Sequence, residues 1–252
     1  MTGSERDLVA EILASFAVEV NLVPDLGSFA LKKTVLQRYG DVTVIEVQHG
    51  PLSWWYNRLL KRVFDIIVSL LVIVGVLSWM TPLLWIIDKL STRHGIIFRQ
   101  QRTTLHGHRF CCYKFRSMVV NCNADDLAAS ENDPRVTSVG RFLRSTSLDE
   151  LPQFVNVLRG DMSVVGPRPH MISHTEQYRQ QMKHFMLRHV VRPGITGLAQ
   201  VNGFRGEIQK TDDLMNRLRQ DMSYISNWSF WLDIKVIFMT FWVLLRGQKK
   251  AY

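Results

Sequence analysis

Most of the chain has ordinary globular patterning, but one segment is apolar on every side. Leu8–Phe16 has helical spacing, Val18–Val23 reads as a strand, and Pro24-Asp25-Leu26-Gly27 as a turn. Leu31–Tyr39 reads as a second helix and Val42–Val47 (VTVIEV) as a buried strand. Two helices and two strands are few for an independent α/β fold, so residues 1–50 read as the partial end of one. From Ile66 to Ile87 the chain then runs 22 residues without a charge. As a helix this run is ~33 Å long, about the thickness of a hydrocarbon core. A second apolar stretch, Val236–Leu245, is preceded by Trp228, Phe230 and Trp231 and followed by Arg246, Lys249 and Lys250. Aromatics before a short apolar helix and bases after it suit a helix lying in a membrane interface, or one packed on the protein's own core. Residues 91–252 are otherwise polar, Arg-rich and punctuated by Gly and Pro, without internal repeats or low-complexity tracts.

Length alone lets the 22-residue run cross a bilayer, but two features favour a return. Pro82 lies late in the run, where its ring removes a backbone hydrogen bond, and Ser78 and Thr81 can bond carbonyls so freed. Arg58, Lys61 and Arg62 precede the run, and Lys89, Arg93, Arg99 and Arg102 follow it. A crossing helix leaves one of these basic flanks on the wrong side. A re-entrant hairpin broken near Thr81-Pro82 satisfies both constraints; a Pro-kinked single span is the alternative. The expected organisation is a partial segment over 1–50, an amphipathic linker and membrane hairpin over 51–90, and a polar domain over 91–252.

Charge narrows the partners. Lys and Arg number 31 against 22 Asp and Glu, a net charge of +9. This suits nucleic acid, anionic lipid or a phosphorylated substrate. Aromatic residues do not interleave regularly with the basic ones, and the apolar run argues against a nucleic-acid binder. Hydrophobic residues at 46% exclude wholesale disorder. Three cysteines, two adjacent and none in a CxxC pair, make neither a disulfide framework nor a zinc ribbon. Glu5, Asp7 and Glu11 interrupt any signal-peptide core.

Four segments can carry chemistry. In Arg141-Phe-Leu-Arg144-Ser-Thr-Ser147-Leu-Asp149-Glu150, two adjacent carboxylates follow two arginines. Adjacent acids that share a hard cation such as Mg²⁺ fit a phosphate site. Equally, Ser147-x-x-Glu150 matches a helix capping box. In Gly166-Pro167-Arg168-Pro169 the prolines restrict the arginine, which suits bidentate phosphate binding or an ordinary turn. Val191–Gly206 is dense in glycine, so backbone can approach a ligand, yet no P-loop or dinucleotide fingerprint is present. Tyr113-Lys114-Phe115-Arg116-Ser117-Met118 adds a basic pair on a strand. His170 and His174 lie four apart but lack a zincin glutamate, so a metal role there is disfavoured.

Taken together, six ordered motifs resemble one family. They are Lys61-Arg62-Val-Phe64-Asp65 before the apolar run, YKFRSM (113–118), LRSTSLDELPQ (143–153), GDMSVVGPRP (160–169), RPGITGLAQVNG (192–203) and NWSFWLDIK (227–235). Over about residues 51–246 the chain resembles the bacterial sugar transferases, monotopic polyprenyl-phosphate hexose-1-phosphate transferases. Residues 8–50 resemble the end of the nucleotide-fold-like, Rossmann-type domain that precedes the catalytic part in the family's long form. The resemblance implies an α/β, mainly helical catalytic domain on a re-entrant membrane helix, at the cytoplasmic face of the bacterial inner membrane. It also implies a two-step reaction. Asp149 attacks the sugar-bearing phosphate of a UDP-sugar and releases UMP; polyprenyl phosphate then takes the sugar phosphate from Asp149. Glu150, with Asp149, would hold Mg²⁺. Arg144, Arg168, Arg116, Lys114, Arg205 and Asp221 are the residues expected at phosphate and substrate. Gly203-Phe-Arg205-Gly206-Glu207 favours glucose as the donor sugar, although Ile208 stands where such members often carry Thr. Other partners compatible with the resemblance are membrane lipid and a second copy of the chain. The competing readings are an inactive scaffold on anionic lipid, or the same reaction with galactose or an N-acetylhexosamine.

Overall fold

The computed structural model describes residues 50–91, 95–120, 133–182, 185–204, 206 and 211–246, and the backbone of 34–39 and 42–47. The chain divides into two units, Met1–Gln48 and His49–Tyr252.

In the first unit, β1 (Thr34–Tyr39) pairs antiparallel with β2 (Val42–Val47), Tyr39 opposite Val42. The helix expected at Leu31–Tyr39 is therefore corrected to a strand. TVLQRY holds a β-branched pair and an aromatic residue, and only Gly-Asp separates it from VTVIEV, so pairing with a ready strand outweighs helical spacing. The described pairing is an antiparallel hairpin, whereas a Rossmann-type segment is built on parallel strands. The expected helix Leu8–Phe16 and strand Val18–Val23 lie outside the described residues.

The second unit opens with an uninterrupted helical run. Helix α1 (Trp55–Val72) passes through a π-helical segment, Ile73–Leu77, into α2 (Ser78–Ser91). Pro82 lies inside α2, so the helix does not stop where the sequence suggested. The departure from α-helical bonding falls earlier, where the wider π turn includes Gly75 and the Ser78 hydroxyl donates to the Val74 carbonyl at 2.6 Å. The run Trp55–Lys89 is long and apolar enough to cross a membrane, and only 22% of its most apolar window is buried.

This helix is inside-out. Lys61, Asp65 and Ser69, spaced by four, form a buried polar stripe, while Leu59, Leu60, Val63, Ile67, Leu70, Leu71 and Val74 are exposed. The stripe holds the helix to the rest of the unit. Lys61 Nζ donates to Asp233 Oδ2 at 2.6 Å and to the Tyr224 hydroxyl at 3.1 Å. Asp65 Oδ1 accepts from Ser163 Oγ and the Val164 amide, both at 3.0 Å. Arg62 donates to the Val157 and Leu158 carbonyls at 2.5 and 2.7 Å. Further along, Leu77, Met80 and Leu84 join Phe115 and Leu143 in a second apolar cluster. Both limbs of the run thus contact one folded body.

Two further two-stranded sheets follow among the described residues. Strands β3 (Ile97–Thr103) and β4 (Arg109–Phe115) form an antiparallel hairpin that pairs Gln100 with Cys112, Arg102 with Phe110 and Phe98 with Lys114. Directly paired residues share a face, as do every second residues along a strand, so Gln100, Arg102 and Lys114 lie on one side of this ribbon. Next come α3 (Ser138–Ser145), a 3₁₀ turn at Leu148–Glu150 and α4 (Gln153–Arg159). Fully buried Asn156 ties α4 to β4, donating to the Cys111 carbonyl at 2.7 Å and accepting from the Tyr113 amide at 3.0 Å. Strand β5 (Ser163–Val165), α5 (Ile172–Gln181) and β6 (Gly194–Thr196) follow, β5 and β6 pairing in parallel. The chain closes with α6 (Leu198–Val201), α7 (Thr211–Ser226) and α8 (Phe230–Leu245). The main core gathers Phe110, Cys112, Val157, Met162, Val165, Tyr224, Trp228 and Val236.

Candidate active site

Asp149 and Glu150 sit in the 3₁₀ turn between α3 and α4, at 9% and 6% exposure. The turn is entered through Ser147, whose φ of 59° is a left-handed conformation uncommon for a residue with a Cβ. Ser147 makes no side-chain capping bond, so the capping-box reading is not realised; Thr137 caps α3 instead, accepting from the Gly140 amide at 3.0 Å. Gly140 is required because a Cβ there would lie 1.9 Å from the Ser117 carbonyl oxygen. That contact seats α3, with Arg144 in its last turn, against the end of β4.

Glu150 Oε1 accepts from Lys114 Nζ and from Arg168 Nη2, each at 2.8 Å. Lys114 arrives on the inner face of β4 and Arg168 on the turn between two prolines after β5. Burial alone would lower the Arg168 pKa, but the charge and hydrogen bond of Glu150, with Asp149, outweigh it and raise it above the ordinary value. The Pro-Arg-Pro turn is fixed from behind. Arg102 donates to the Pro169 carbonyl at 2.5 Å and Arg188 to the Arg168 carbonyl at 2.7 Å.

A cleft of about 500 Å³ opens over this cluster. Among the described residues, seven basic side chains line it (Arg99, Arg102, Lys114, Arg116, Arg135, Arg144 and Arg168) together with one carboxylate, Asp149. The fold thus joins five of the residues expected from sequence: Asp149, Lys114, Arg116, Arg144 and Arg168. Glu150 lies just beneath. Arg99, Arg102 and Arg135 were not anticipated. The first two carry only the weak signal of strand alternation, and Arg135 depends on a contact far from it in sequence, the bridge between Val136 and Met118.

Asp221 does not join the cleft. It is 2% exposed and lies 2.8 Å from Arg188, and burial raises its pKa despite Arg188 and Arg217. This places the carboxylate behind the turn, paired with the arginine that steadies Arg168. Arg205 lies outside the described residues. His170 is enclosed by Phe185 and Tyr178, and Arg188 Nη1 lies 2.9 Å from its Nδ1. Burial and the neighbouring arginines hold His170 well below the usual histidine pKa.

Among the described residues no group of three or more His, Cys, Asp or Glu side chains gathers to hold a metal. Asp149 and Glu150 remain as an adjacent pair. Such a donor set fits a hard cation that takes its other ligands from substrate phosphates and water.

The profile described as "Bacterial sugar transferase" matches residues 56–247. This chain belongs to the bacterial sugar transferase family. Its similarity to curated relatives runs through the site. It is 47% identical over 242 residues to a UDP-glucose:undecaprenyl-phosphate glucose-1-phosphate transferase of Escherichia coli strain K12, covering 94% of the chain and 51% of the relative. A protein of the same name from Klebsiella pneumoniae is 46% identical over 253 residues, covering 98% and 52%. Another from Xanthomonas campestris pv. campestris is 42% identical over 257 residues, covering 98% and 52%. The chain spans about half the length of these relatives. As a sugar transferase with a helix able to enter a bilayer, it is membrane-associated.

Proposed function

We propose that this sugar transferase moves glucose-1-phosphate from UDP-glucose to undecaprenyl phosphate, through a covalent aspartyl-phosphosugar. The observation that carries the reading is the cleft in which, among the described residues, the Asp149 carboxylate shares the lining with seven cationic side chains. The arginines would neutralise the donor's diphosphate, which otherwise repels an anionic nucleophile. An Asp149 oxygen would then attack the glucose-bearing phosphorus. One P–O bond forms to the carboxylate, the diphosphate P–O bond breaks, and UMP leaves with the electron pair. In the second step an oxygen of the lipid phosphate attacks the same phosphorus. The polyprenyl-diphosphate sugar forms and the carboxylate of Asp149 is regenerated. Splitting one transfer in two lets donor and acceptor use the cleft in turn.

Glu150, paired with Lys114 and Arg168, would hold those cations in place and, with Asp149, would ligate Mg²⁺. A bound Mg²⁺ would supply further neutralisation of phosphate charge. Arg205, on the glycine-rich segment, is proposed as a further substrate contact.

The membrane run is proposed to be re-entrant, with the catalytic unit at the cytoplasmic face of the bacterial inner membrane. Support comes from its two limbs. The first is bonded through Lys61, Arg62 and Asp65 and the second is packed through Leu77, Met80 and Leu84, both on one folded body. Its basic flanks would then share the cytoplasmic side. In that setting the cleft stands at head-group level, where a lipid phosphate and a water-soluble donor can both arrive. The product would be the first lipid-linked sugar of an exopolysaccharide, capsule or O-antigen repeat.

The test is UMP release by detergent-solubilised protein supplied with UDP-glucose and Mg²⁺. Unsubstituted protein releases UMP and becomes labelled by donor carrying the label in its glucose. Asp149→Asn protein with unchanged secondary structure releases none and stays unlabelled. Normal turnover by that variant would remove Asp149 as the nucleophile.

A further inference from the structure

A second cavity, about 300 Å³, adjoins the basic cleft. Its walls are Leu84 and Ile87 of α2, Ile96 just before β3, Phe115 of β4, and Val139 and Leu143 of α3. It is apolar in character. The carboxylate at its rim, Asp88, accepts from the Gly95 amide at 3.0 Å. Phe115, Arg116, Met118 and Val119 line both this cavity and the cleft, so the two share a wall. Arg116 stands at the junction. Its Nη2 donates to the Ile97 carbonyl at 3.3 Å, while its buried Nε has no hydrogen-bond partner. A buried guanidinium N–H left unmatched on the wall between an apolar groove and a cationic cleft suits an anionic head attached to a hydrocarbon tail.

Resting on the transferase reading above, we infer that this groove between α2 and α3 holds the first isoprene units of the acceptor lipid, with the lipid phosphate at Arg116. The occupant follows from three features of the site. The groove is walled on one side by the membrane helix itself, so a chain leaving the bilayer along α2 enters it without crossing water. Its lining is mostly apolar, which suits branched hydrocarbon better than a sugar or a nucleoside. It ends at an arginine that also lines the cleft of Asp149, so a phosphate on Arg116 would stand on the wall that the groove shares with the carboxylate's cleft. The donor would therefore occupy the wide cleft, and the acceptor would reach the same phosphorus from the α2 side.

The two half-reactions separate this inference from the reading beneath it. Release of UMP without acceptor reports the first step only; consumption of polyprenyl phosphate reports the second. Val139 lines the groove but not the cleft and is exposed near the start of α3, so substitution there is expected to leave the fold intact, which circular dichroism checks. Val139→Trp fills the groove, and Val139→Asp makes it polar while placing an acid in a helix's first turn, where it is tolerated. Both variants are expected to keep the acceptor-free burst of UMP and to raise the KM for polyprenyl phosphate about tenfold, the effect of losing one or two buried methylenes. A photoreactive farnesyl phosphate should label peptides from α2 and α3 in unsubstituted protein. That label should be competed by polyprenyl phosphate and not by phosphatidylglycerol, and it should fall in both variants. An unchanged KM in both variants, labelling elsewhere, or equal competition by phosphatidylglycerol would overturn the groove while leaving the transferase standing. Absence of any UMP burst in unsubstituted protein would instead refute the transferase and the groove with it.

Discussion

Arg188, which holds the Pro-Arg-Pro turn, stands beside two buried histidines whose protonation burial opposes, and this makes the unit acid-labile. His189 lies next to Arg188, is enclosed against Phe185, and has a buried Nδ1 with no hydrogen-bond partner. Burial, reinforced by the Arg188 charge, lowers its pKa from 6.5 to about 4. Between those values the folded protein leaves this ring neutral while the unfolded chain protonates it. Unfolding therefore takes up a proton, and the stabilisation present above pH 6.5 is lost as pH falls towards about 4. At about 1.4 kcal/mol per pH unit, His189 alone accounts for about 3 kcal/mol across that window. His170, also held low by burial and then by Arg188 and Arg217, acts in the same direction. Denaturant unfolding in detergent, followed by tryptophan fluorescence at several pH values, measures the effect. His189→Phe keeps a ring in the pocket and removes the proton. It should lose some stability at neutral pH, with the bond to the Met186 backbone, and should show a shallower fall on acidification. An identical slope in the variant would show that His189 is not the group being titrated and that the reasoning is wrong.

Two further outcomes follow from the helix attachment. Lys61→Met leaves the buried Asp233 carboxylate without its cation and should destabilise the unit by about 3–5 kcal/mol, with protease cutting near Trp55 as the local readout. Lys61→Met combined with Asp233→Leu should recover a large part of the loss, because no buried charge is then left alone. For topology, single cysteines introduced at exposed Arg58 and Lys89 should both react with an impermeant maleimide from the cytoplasmic side; reaction from opposite sides would establish a spanning helix.

What the sequence determined by itself was local or chemically distinctive. A run of 22 uncharged residues is apolar whatever surrounds it, so the membrane element was legible before any fold was known. An Asp-Glu pair after two arginines also reads as a helix cap, and an arginine between prolines as an ordinary turn; it was six ordered motifs together that made the family recognisable. Tertiary structure decided the rest, because the rest depends on pairings between distant residues. TVLQRY became a strand because VTVIEV lies beside it. Ser147 offered a capping box in sequence, but the chain enters the Asp149 turn in a left-handed conformation that leaves its hydroxyl unused. Asp221 carried the same formal charge as Asp149, yet one is paired with Arg188 behind the turn and the other lines the cleft. Arg102 looked like one exposed base among many until strand register put it opposite Phe110 and beneath Pro169. Spacing along a chain reveals which residues share a helix face or a strand face. Which of those faces meet, and so which charges are enclosed together, is set only when the packed structure excludes water between them.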